Sequence, residues 1–108
     1  MRADDREQFD ELVLSLVDRL AKRLEVELRD VQFGTEDVPQ LPSGWTGEPV
    51  PLGSLVRPTG GSPARIVVFR RPVELRAATR LERTALVNEV LVEHVAELLG
   101  RHPDEIDP

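Results

Sequence analysis

The sequence predicts an α+β fold, an α/β sandwich with two amphipathic helices packed on a small β-sheet. Three observations carry this. A helical apolar period runs through residues 6–28, a second follows residue 79, and an unbroken apolar run, Ile66-Val67-Val68-Phe69, lies between them. At 108 residues the chain, 1–108, reads as a single domain with room for a core of its own.

In the first helix Phe9, Leu12, Val13, Leu16, Val17, Leu20 and Leu24 fall at i, i+3, i+4, i+7, i+8, i+11 and i+15, and Leu28 extends the series. Asp10, Glu11, Asp18, Arg19, Lys22 and Arg23 hold the other faces, so one side needs a packing partner. Val31-Gln32-Phe33-Gly34-Thr35 alternates and predicts a short strand, with Gly34 the expected place of a bulge. Residues 39–64 change character. Pro39, Pro42, Pro49, Pro51, Pro58 and Pro63 fall there with Gly44, Gly47, Gly53, Gly60 and Gly61, and no helix tolerates that. Val50, Leu52, Leu55 and Val56 suggest a brief edge strand or turn inside it. Loops this long are usually lids or mobile segments. Trp45, in this loop, is either an anchor into the core or an exposed contact for a partner.

Arg65 to Arg70 is the clearest strand: its apolar run between charges predicts burial on both faces, and Pro72 is expected to end it. An irregular or helical turn at residues 73–78 leads to Thr79-x-x-Glu82, a capping box that starts the last helix. Its apolar face is Leu86, Val87, Val90, Leu91, Val95, Leu98 and Leu99. Gly100 suits the left-handed residue that closes a helix, Pro103 blocks continuation, and a short acidic tail follows.

A net charge of −6 and a pI near 4.9 repel a phosphate backbone, so no nucleic-acid partner is expected. Arg65, Arg70, Arg71, Arg76, Arg80 and Arg83 read as strand ends and a solvated helix face, with an anion site as the alternative. The absence of cysteine rules out a disulfide framework. A charged N-terminus and the lack of a long apolar run predict no signal peptide and no membrane partner, which makes a cytoplasmic protein the expectation.

The residues with chemistry gather in Glu93-His94-Val95-Ala96-Glu97. Glu93 and Glu97, at i and i+4, share one helix face, and His94 is turned about 100° away toward the apolar side. One reading makes Glu93 and Glu97 a solvated stripe with Glu89. The other makes them metal ligands, completed from the tail by a residue such as His102 or Asp104. Such a carboxylate set suits Mg²⁺, Ca²⁺ or Mn²⁺ better than zinc. His94 is a partly buried, hydrogen-bonded histidine, or a general acid or base without an evident nucleophile beside it. Asn88 near the packed side satisfies backbone groups or orients a ligand, and His102 is a surface residue of the turn. No G-x-S-x-G, G-x-G-x-x-G or P-loop occurs.

The strand Arg65-Ile66-Val67-Val68-Phe69-Arg70-Arg71-Pro72-Val73-Glu74, the helix ending Glu93-His94-x-x-Glu97-x-x-Gly100, the opening Phe9-Asp10-Glu11-Leu12-Val13 and the acidic turn Glu36-Asp37-Val38-Pro39 together resemble the bacterial minimal zincin-like metallopeptidases. The tail ending Ile106-Asp107-Pro108 is similar to an actinobacterial branch that commonly lacks an intact H-E-x-x-H. The resemblance implies a compact α/β fold, zinc and peptide hydrolysis. It also sets Glu93 and Glu97 on the two histidine positions, His94 on the general base and Pro103 on the third ligand, with Asp104 one residue later. The expectation is therefore a metallopeptidase-like pseudoenzyme with a degenerate H-E-x-x-H and no resident cofactor, zinc being the family's. It would bind a peptide or protein in a groove beside the Ile66–Phe69 strand, roofed by the 40–62 loop. An active metallopeptidase with an unconventional ligand set is the alternative, and a purely structural or oligomerising domain a third reading.

Overall fold

The computed structural model describes residues 3–41, 43–44 and 50–107. Trp45 lies outside them, and so does the choice between anchor and partner contact. The elements are α1 (Ala3–Arg23), β1 (Gln32–Glu36), β2 (Gly53–Val56), β3 (Arg65–Phe69), α2 (Arg70–Arg76), α3 (Arg80–Leu99) and α4 (Pro103–Ile106). The sheet order is β1-β3-β2, with β1 parallel and β2 antiparallel to β3. The predicted α+β architecture is present.

The apolar stripe of α1 buries Phe9, Leu12, Val13, Leu16 and Leu20. It meets Val87, Leu91 and Val95 of α3, and Ile66 and Val68 of β3, in one cluster, so both long helices cover the same sheet face. Each fully buried branched side chain there is worth about 1.5–3 kcal/mol. The apolar period outlasts the regular helix. Leu24 and Leu28 stay buried, but after Arg23 the chain winds in turns, such as Val31 N–H to Leu28 C=O at 3.1 Å, that aim it into β1.

On the opposite face Val67 and Phe69 are also buried, beside Pro39, Leu41 and Pro51. Burial on both faces follows from the central place of β3. That place also corrects the expected groove: the Ile66–Phe69 strand has a neighbour on each side, and among the described residues the outer strands are β1 and β2. The loop expected over residues 39–64 contains β2, and Gly60-Gly61 closes a small turn between the bridged Thr59 and Ser62.

Three further local expectations change. The β1–β3 register is continuous through Gly34, so there is no bulge. A Cβ at Gly34 would lie 3.1 Å from the Arg65 Nη2, which makes the glycine a space for that guanidinium. The strand β3 does not run on to Pro72. It turns at Phe69 into α2, where Pro72 sits in the first turn, the one place a helix accepts proline. The acidic tail forms α4, with Ile106 fully buried.

The capping box of α3 forms as predicted: Glu82 N–H donates to Thr79 Oγ1 at 3.1 Å and Thr79 N–H to Glu82 Oε1 at 3.0 Å. Gly100 closes the helix at φ 66°.

The tail is tied to both long helices through Asp107. Asn88 Nδ2 donates to it at 2.9 Å, Arg19 at 2.9 Å and Arg23 at 2.7 Å. Asn88 thus serves a side chain rather than the backbone groups expected. These partners, the Asn88 hydrogen bond first, hold the Asp107 carboxyl below the usual range. Asp37, hydrogen-bonded by Arg70, and Glu82, by the Thr79 cap, are lowered too. A carboxyl with a lowered folded-state pKa binds its proton less readily folded than unfolded. Its stabilisation is complete above the ordinary carboxyl range and is lost as pH falls through the lowered value. Urea midpoints should therefore fall as pH drops below about 4, and Asp107→Asn should flatten that limb. An unchanged acid limb in Asp107→Asn would remove the tail from the account.

Candidate functional site

The site is built by α3 and β2. Gly53 is the point of contact: a Cβ there would lie 2.7 Å from Val90 Cγ1, 2.8 Å from the Val67 carbonyl oxygen and 3.2 Å from His94 Nε2. The bare backbone lets β2 close on α3 with the His94 ring over it. Beside this contact runs a groove lined by Val50, Pro51, Leu52, Arg76, Glu93 and His94.

Among the described residues no strand pairs with the outer edge of β2. Phe69 N–H donates to Leu52 C=O at 2.9 Å, which fixes the alternation of the ladder. Ser54 and Val56 turn their backbone groups to β3, so Gly53 and Leu55 turn theirs to the outer edge.

His94 is partly buried, with its side chain 22% exposed, and its Nδ1 lies 3.3 Å from Glu97 Oε1. Glu97 is also 3.8 Å from Arg57 Nη2. Glu89, Glu93 and Glu97 are all exposed, as the stripe reading requires. His102 and Asp104 sit elsewhere in function: Asp104 N–H donates to His102 Nδ1 at 3.1 Å, which caps α4. Both side chains stand largely in solvent.

The structure therefore brings His94 and Glu97 together, with Glu93 on the same groove wall, and gives His102 and Asp104 a capping role. A catalytic zinc asks for three protein ligands and an open position. Among the described residues no three His, Asp or Glu side chains converge as a ligand set. The described residues as placed do not fit a three-ligand zinc centre.

A second constellation escaped the sequence reading. Parallel pairing sets Glu36 beside Phe69, so the next residues, Asp37 and Arg70, meet. Arg70 is not a solvated strand end. It is buried, donating through Nε to Asp37 at 3.0 Å and through Nη1 to Glu74 at 2.9 Å. Burial works against its charge, but Asp37 and Glu74 outweigh that and raise its pKa. Arg6 pairs with Asp37 as well, and Arg71 N–H donates to the Asp37 carbonyl at 3.0 Å. The acidic turn and the Arg-x-Pro-x-Glu strand end thus form one lock between β1, β3 and α2. Gly53, Arg57 and Arg76 were also missed as site residues. The signal available was a glycine inside a strand pattern, which marks close backbone approach.

A helix thus lies over a mixed sheet, with the antiparallel edge strand β2 beside Glu93 and His94. The zincin-like metallopeptidase family model matches residues 21–108, most of the chain, and the chain belongs to that family. No match is found among curated proteins. No helix among the described residues is long and apolar enough to cross a membrane.

Proposed function

We propose that this domain has lost zinc-dependent peptidase chemistry and binds an extended peptide along the free edge of β2, in the groove walled by Glu93 and His94. The observation that carries the reading is the state of the motif positions. Glu97 is engaged by His94 and Arg57, and the tail carboxylate Asp104 stands at the start of α4 rather than with them. The family's scaffold is kept while its ligand positions hold carboxylates. The open Gly53 and Leu55 backbone groups offer β-augmentation, which needs no metal.

The test is exposure of protein purified without a His-tag to a pool of extended peptides, followed by mass spectrometry. Peptides should be retained and recovered intact, with or without chelator. Chelator-sensitive cleavage would favour the alternative, a metallopeptidase with an unconventional ligand set.

A further inference from the structure

The walls of the groove carry charges of opposite sign. Glu93 and Arg76 both line it and both are exposed, and neither takes part in the ion pairs formed among the described residues. The neighbouring Glu97 differs, being shared by His94 and Arg57. The rest of the lining is Val50, Pro51, Leu52, Gly53 and Val90, apolar or bare backbone, together with His94. A strand added to β2 presents every second side chain to one face, with a repeat of about 6.8 Å for two residues.

We propose that the ligand is an extended peptide with one basic and one acidic side chain an even number of residues apart, the base reaching Glu93 and the acid reaching Arg76. The proposal rests on the peptide-docking reading and adds the chemistry of the occupant. An even spacing puts both charges on the face that looks into the groove. An odd spacing sends one of them to the opposite face, where it meets neither wall. Apolar side chains alone would cover the lining but leave both charges unanswered.

Rim charges of this kind add about two- to fivefold each to affinity at low salt, and less when screened. The experiment is fluorescence anisotropy with labelled extended peptides of one composition. Lysine and glutamate stand two or four residues apart in one set and one or three apart in the other. Even spacing should bind several-fold more tightly. Glu93→Gln should erase the gain from the lysine alone, and Arg76→Gln the gain from the glutamate alone. Equal binding of all peptides would overturn the charge assignment and leave the groove reading standing. No binding by any peptide would overturn both. A dimer of the protein alone that dissociates in Glu93→Gln would assign the groove to a second copy and also overturn the proposal.

Discussion

Replacing Gly53 with alanine should destabilise the domain by about 2–3 kcal/mol, at the upper end of overpacking costs. The new Cβ would lie 2.7 Å from Val90 Cγ1 and 2.8 Å from the Val67 carbonyl oxygen. The first contact is with a side chain and can be relieved. The second is with the backbone of the central strand and cannot yield without parting β2 from β3. Val90→Ala in the same molecule should therefore recover only part of the loss. Gly60 is the control, because a Cβ there meets nothing within 4 Å, so Gly60→Ala should stay within about 0.5 kcal/mol of the parent. Urea denaturation measures all three. Since Gly53 also seats His94 and bounds the groove, peptide retention should fall with stability. A Gly53→Ala protein as stable as the parent would mean that β2 does not lie against α3.

Arg70→Ala should cost about 3 kcal/mol, near the lower bound for breaking a buried ion pair because both carboxylates it leaves behind reach solvent. Arg70→Lys should not rescue it. An ammonium is a single point, whereas Nε and Nη1 of Arg70 serve Asp37 and Glu74 at once. One of its nitrogens, Nη2, is buried without a partner among the described residues, so its desolvation is not offset, and apolar replacement of Arg70 with Glu74 leaves Asp37 still paired with Arg6. Joint replacement of Arg70 and Glu74 by methionine should thus be less damaging than Arg70→Ala alone. Equal stability of Arg70→Lys and the parent, by thermal or urea denaturation, would sink this account of the lock.

The long helices were legible because their apolar residues follow the helical period and their ends carry chemical signals, Thr79 and Glu82 at one end and Gly100 at the other. The central strand was legible from its apolar run. What the sequence concealed depends on pairing. Arg70 and Arg71 are the same residue side by side, and only the parallel register with β1 decides that the first is buried against Asp37. The start of α2 was hidden by Pro72, which reads as a stop until its place in the first turn is known. The tail read only as short and acidic, because its anchor joins Asp107 to Asn88, Arg19 and Arg23, all distant in sequence.

At the site, the helix positions of Glu93, His94 and Glu97 could be placed from spacing alone. The facing residues could not, because a brief edge strand around Gly53 and a turn around Arg76 carry no signal of where they pack. The relation of the edge strand to the helix followed only from the sheet order, with β2 outside β3.

The central claim is that the zincin-like scaffold here works without a resident zinc. Its most direct test is the metal content of protein purified without a His-tag, measured by mass spectrometry and repeated on Glu93→Ala. The account predicts zinc well below one equivalent in both proteins. One equivalent of tightly held zinc in the parent, lost in Glu93→Ala, would contradict it.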